Sequence, residues 1–140
     1  MLLVTFGPVF PETFGFCRVL KSDKLNEKTN SINSMKLGII LETSEPEKAW
    51  NACRFANTAL QRGHEVKLFL MGEAVTCESI REKPYDVFEQ MELISMAGGE
   101  ILACGTCLKS RSMAGSDMCP VSTMNDCLEM VEWSDKTVTF

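Results

Sequence analysis

Several things this 140-residue chain lacks bound what it can be. No apolar run approaches the ~20 residues a membrane span requires, so no membrane partner is expected. A single histidine, His64, opens a predicted strand far in sequence from any nucleophile, and it reads as structural. No Gly-x-Gly-x-x-Gly or Walker sequence is present, and with nothing else to hold a prosthetic group no cofactor is expected. Positive charge is short: 14 Lys and Arg stand against 19 Asp and Glu, a net charge of −5. The imbalance lies in residues 35–140, with ten basic and sixteen acidic side chains. An acidic domain repels a phosphate backbone, which argues against nucleic acid and favours a protein or small-thiol partner. The apolar stretch from Met1 to Phe16 lacks a basic flank and a cleavage site, which argues against a signal peptide.

Cysteine, by contrast, is abundant. There are seven, an odd number without a secretory signal, which implies free thiols in a reducing cytoplasm. Cys53 and Cys127 fall on apolar helical faces, where a thiol behaves as a small hydrophobe.

The chain divides near Met35. Gly7, Pro8, Pro11 and Gly15 interrupt the first apolar stretch, and residues 21–34 are polar and linker-like. Residues 1–34 therefore read as an N-terminal extension, either poorly ordered or a gene-model artefact with translation starting at Met35. Beyond it, strand and helix alternate. Lys36–Leu41 is a continuous apolar strand. Ser44 and Glu47 predict a capping box, with Ala49, Ala52, Cys53, Phe55, Ala56, Ala59 and Leu60 on the inner helical face and Gly63 just past the end. Glu65–Met71 is a second strand. Residues 74–83 read as a short helix or loop. Val87, Phe88, Met91, Ile94 and Ser95 mark a second helix, and Glu100–Ala103 a third strand. A short helix from about Thr106 to Met113 follows. Val121 suggests a very short strand, and Ser122 caps a last helix in which Met124, Cys127, Leu128 and Val131 repeat at helical spacing. Lys136–Phe140 closes the pattern. Strands separated by helices predict a single α/β domain of three α/β/α layers, a doubly wound, mostly parallel sheet of four to five strands.

In such a sheet functional residues collect at the carboxyl ends of strands. Ala103-Cys104-Gly105-Thr106-Cys107-Leu108-Lys109-Ser110-Arg111 occupies one of those ends. A cysteine between strand and helix meets outward-pointing N–H groups that favour a thiolate, and Lys109 and Arg111 add positive charge. Cys104 and Cys107 are the candidate catalytic residues. Lys109 and Arg111 are candidate substrate-binding residues, able to steady an anionic sulfur or simply to complement the helix end.

The order of these pieces resembles the DsrE/DsrF-like family, which includes the sulfur-relay subunit TusD. Four segments carry the resemblance: Met35–Leu41, Gly63–Gly72, Cys104–Arg111, and Ser122–Asp126 through Val138–Phe140. In that family a cysteine after the third strand accepts sulfane sulfur as a persulfide and passes it to a partner. Members often place an arginine seven residues beyond it, which matches Cys104 and Arg111. The glycine that often follows the arginine is Ser112 here. Cys107 resembles a Cys-Gly-x-Cys subgroup. The resemblance implies a sulfurtransferase-like carrier that works with a protein sulfur donor or acceptor, in a homo- or hetero-oligomer.

Other readings of the same residues stay open. Cys104 could be a buried structural thiol. Cys107 could resolve a persulfide on Cys104 or face the core. Cys119 could approach the site from its loop. Cys-x-x-Cys beside a βαβ pattern also suits a thiol-disulfide redox protein. A zinc site would need a second close pair of ligands, which the spacing of Cys119 and Cys127 does not supply, so no metal is expected. A non-catalytic oligomeric subunit is the remaining alternative, with Leu93 and Met96 lying off the inner face of their helix.

Overall fold

The computed structural model describes residues 34–140, so the expectation for residues 1–34 lies outside the described residues except at Ser34. Five strands form one all-parallel sheet: β1 (Lys36–Leu41), β2 (Glu65–Leu70), β3 (Glu100–Cys104), β4 (Val121–Ser122) and β5 (Lys136–Thr139), in the order β4-β3-β2-β1-β5. Four α-helices connect them: α1 (Pro46–Gln61), α2 (Val87–Met96), α3 (Gly105–Ser110) and α4 (Met124–Trp133). Residues 74–83, read as a short helix or loop, largely belong to a 3-10 helix at Gly72–Ser79.

The central strands are apolar along their length because helices cover both faces. Ile39, Leu41, Leu68, Phe69 and Leu70 are fully buried, with Met91 and Ile94 of α2. Burial of each such side chain contributes about 1.5–3 kcal/mol before conformational entropy is counted. Alternation along β1 sends Leu37 toward α1 and Gly38 toward α4, where Ser134 and Met130 press on the strand. On the α1 face, the two helices are tied by Asn57, whose side-chain amide donates to the Gln90 carbonyl at 3.0 Å and to Gln90 Oε1 at 3.1 Å.

Two helix starts differ from expectation by one residue. The N-cap of α1 is Glu45, not Ser44, and its carboxylate accepts the Glu47 and Lys48 amides at 3.3 and 3.0 Å. Pro46 decides this: proline is favoured at the first helical position and forces the residue before it out of helical conformation. The N-cap of α4 is Thr123, not Ser122, and Thr123 and Asp126 form a full capping box. Ser122 is held in β4 by its pairing with Cys104.

The inner face of α4 is also rotated from the expected one. Cys127 and Met130 are buried, whereas Met124 and Leu128 are each 56% exposed and Val131 37%. The apolar residues of α4 wrap wider than the surface the sheet can cover, and periodicity alone does not say which part of a wide stripe turns inward. On α2, Ser95 is exposed and Phe88 only half-buried, so its inner face reduces to Val87, Met91 and Ile94.

Candidate functional site

Three neighbouring strands bring their carboxyl ends together. Gly72 lies just past β2, Cys104 ends β3, and Ser122 ends β4 in register with Cys104. The strand register is parallel throughout, so the turns that leave these strands meet on one edge of the sheet.

Cys104 is the N-cap of α3, in extended conformation, and its side chain makes no capping bond. It is buried, with 4% of its surface exposed. Cys107, one turn later, is half-buried. The two thiols are close enough that each influences the ionisation of the other. Gly105 between them is pinned: a Cβ there would come within 2.9 Å of Val121 Cγ1 and 3.1 Å of the Ser122 carbonyl oxygen. The glycine of the motif thus lets β4 close against the start of α3.

Cys107 has a second contact that the sequence did not announce. The Gly72 amide donates to Cys107 Sγ at 3.2 Å. Gly72 has φ +57, the left-handed region that glycine enters without steric cost. The only available signal was a glycine at the carboxyl end of a strand. The next two amides, of Glu73 and Ala74, donate to the Glu42 carbonyl instead, at 3.1 and 3.2 Å.

Opposing influences set the ionisation of Cys107. Burial pushes its thiol up, as does contact with the Cys104 thiol; the Gly72 amide and the Arg111 guanidinium act the other way. The balance keeps Cys107 protonated more than an isolated thiol. Arg111 is exposed, and its Nη1 donates to the Cys107 carbonyl at 3.2 Å, which folds the guanidinium back over the helix. Lys109 is exposed and makes no hydrogen bond to either cysteine. The structure therefore brings Cys104, Cys107 and Arg111 together and leaves Lys109 on the outer surface.

The remaining described cysteines belong elsewhere. Cys53, Cys77 and Cys119 influence one another in the interior and are buried. Burial raises Cys77 to about 12, and burial with Glu78 raises Cys119 to about 12. The groups that act on Cys119 are Glu78, Ser116 and Cys77. Cys127 lies near Cys104 from the α4 side and is raised mainly by burial. Among the described residues no group of three or more His, Cys, Asp or Glu is arranged to hold a metal ion. No helix among them is long and apolar enough to cross a membrane. A cavity of about 420 Å³ between Pro46 and the Ser79–Tyr85 segment contains none of the cysteines. His64 accepts the Met35 amide at Nδ1, 3.2 Å away, and lies at the amino end of β2, opposite the cysteine pair.

Residues 35–140 match the model of the DsrE/DsrF-like family. An uncharacterized protein of Methanocaldococcus jannaschii is 36% identical over 115 residues, covering 76% of this chain and 100% of that protein. An uncharacterized protein of Methanopyrus kandleri is also 36% identical, over 100 residues, covering 67% of this chain and 83% of that protein. Among solved structures, a conserved protein of unknown function from Bacteroides thetaiotaomicron superposes with a TM-score of 0.60 at 19% identity, covering 77% of this chain and 100% of that one. That likeness supports the fold.

Proposed function

The chain belongs to the DsrE/DsrF-like family, and from that premise we propose that it is a sulfur carrier, sulfurtransferase-like in its chemistry, that accepts sulfane sulfur as a persulfide on Cys104. Family membership points to sulfur-relay chemistry in general terms. The observation that supports the finer reading is the paired thiols of Cys104 and Cys107 at the carboxyl edge of the sheet. In uptake, a thiolate of the pair attacks the terminal sulfur of a donor persulfide and the donor leaves as its thiolate. In delivery, a partner's thiolate attacks the terminal sulfur of the pair's persulfide and frees the thiolate that carried it. Each step breaks one S–S bond and forms another, with no net oxidation. Arg111 steadies the anionic sulfur from the open side; Lys109 adds long-range charge only.

The partner in this reading is a protein sulfur donor or acceptor, met within a homo- or hetero-oligomer in the cytoplasm. Exposed Leu93 and Met96 on α2, and Met124 and Leu128 on α4, support contact with other proteins. Residues 35–140 form the functional domain, and a chain beginning at Met35 is expected to keep the sulfur load.

The thiol–thiol contact also favours a second reading, a redox protein that cycles between the Cys104–Cys107 disulfide and the dithiol. Intact-mass analysis separates the two. Cys17 lies outside the described residues, so the background is Cys17→Ser. After incubation with inorganic polysulfide, a carrier gains ~32 Da per sulfur atom, removable by reductant. The Cys104→Ser/Cys107→Ser protein gains nothing. An equal gain in that double variant rejects the carrier reading, and a loss of about 2 Da in place of a gain supports the redox one.

A further inference from the structure

We infer that Cys107 is the receiving thiol of the pair and hands sulfur inward to Cys104. This rests on the persulfide reading above and assigns the order of events within it.

Access comes first. Cys104 is 4% exposed and lies beneath α4, next to Cys127. Cys107 is half-buried and open to solvent beside Arg111. A donor bulkier than a few atoms meets the Cys107 sulfur before it meets that of Cys104. Thiol exchange requires in-line approach to sulfur, so access governs which thiol reacts first.

The Gly72 amide supplies the second argument. It donates to Cys107 Sγ at 3.2 Å and has no backbone carbonyl partner in competition. A backbone N–H aimed at sulfur binds a thiolate more strongly than a thiol. It therefore offsets part of the burial that raises the Cys107 thiol, and helps that sulfur both as the attacking thiolate and later as the leaving one. Among the described residues no amide holds the Cys104 sulfur in the same way, and its side chain makes no capping bond.

The steps balance. The Cys107 thiolate attacks the terminal sulfur of a donor R–S–SH, the S–S bond of the donor breaks, and R–S⁻ departs. Cys107 now carries –S–SH. The Cys104 thiol loses its proton to solvent, and its thiolate attacks that terminal sulfur. The S–S bond on Cys107 breaks, a new one forms on Cys104, and Cys107 leaves as a thiolate held by the Gly72 amide. One sulfur atom has moved inward and no external oxidant or reductant is consumed. The burial of Cys104 then shields the persulfide from bulk reductants, and delivery runs the same exchange in reverse: the Cys107 thiolate takes the terminal sulfur back and a partner's thiolate removes it there.

The test compares loading rates in the Cys17→Ser full-length chain with inorganic polysulfide as donor, read by intact mass at timed intervals. Cys107→Ser and Cys107→Ala are both expected to slow loading by about tenfold or more. Far-UV circular dichroism and melting curves confirm that both remain folded. Cys104→Ser is expected to load at the wild-type initial rate, because Cys107 is intact, and to lose its sulfur to added reductant faster than wild type. Loading of either Cys107 variant at the wild-type rate overturns the inference while leaving the carrier reading in place. Loading that disappears in Cys104→Ser but persists in Cys107→Ser overturns it in the same way. Absence of loading in the wild type overturns both.

Discussion

Ser122 donates its hydroxyl to Asp126 Oδ2 at 2.8 Å, and the same oxygen accepts the Thr123 amide at 2.7 Å and the Thr123 hydroxyl at 2.8 Å. Three donors on one carboxylate oxygen tie the end of β4 to the first turn of α4. They hold the Asp126 carboxyl below its ordinary value of 3.8, the Thr123 hydroxyl most of all. A depressed carboxylate stabilises the fold fully above the unfolded value, and that contribution fades as pH falls through the lower, folded value. Denaturant melts between pH 6 and pH 2 are expected to show this loss. Asp126→Asn is expected to be less stable at pH 6 and to flatten the acid limb; an unchanged limb would refute the linkage.

Thiol reactivity is expected to sort by place. At pH 7.5 a short pulse of iodoacetamide labels Cys107 first among the described cysteines. Cys53, Cys77, Cys119 and Cys127 stay unlabelled until the protein unfolds, because burial disfavours their thiolates. The same shift makes the fold sensitive to alkali. Cys77 and Cys119 are held near 12 in the folded state against 9.0 for the free thiol. Their contribution is present below the unfolded value and is lost as pH rises from there toward about 12. Peptide mapping of the pulse that found Cys77 or Cys119 labelled before Cys107 would contradict this.

Gly105→Val is expected to destabilise by about 2 kcal/mol through overpacking against Val121 and Ser122. It also moves the end of β4 away from Cys104, so sulfur loading falls along with the melting temperature. Unchanged stability would mean that β4 yields freely and that the motif's glycine has another reason.

Ser112 offers the opposite sign. It follows the C-cap of α3 with φ +54, where a side chain is strained and glycine is not. Ser112→Gly is expected to add about 0.5–1 kcal/mol to stability with no effect on the cysteines. Chemical denaturation of the two proteins checks it.

Much of this was legible beforehand, and the failures share a cause. The three central strands were readable because each is a short, largely apolar run between breakers, and Cys104 fell at a carboxyl end by simple counting. The glycine often found where Ser112 stands now has a physical basis in the left-handed backbone there. What escaped was anything decided across distance in the chain. The Gly72 amide reaches Cys107 across a sequence separation of 35. The inner face of α4 depends on which of its apolar residues the sheet can accommodate. The upward push on the Cys107 thiol, from burial and from the second thiol, is likewise a balance that local spacing does not reveal.

The strand order carries a consequence for how the chain assembles. β1 pairs with β2 on one side and with β5 on the other, Gly38 lying opposite both Lys67 and Thr137. During synthesis the first partner emerges soon after β1, but the second is about a hundred residues away. Until it arrives, β1 presents a bare row of amides and carbonyls, the kind of edge that invites pairing with a neighbouring nascent chain. Completion of the sheet is thus a late, long-range event, and its kinetics are set by closure of the largest loop in the domain.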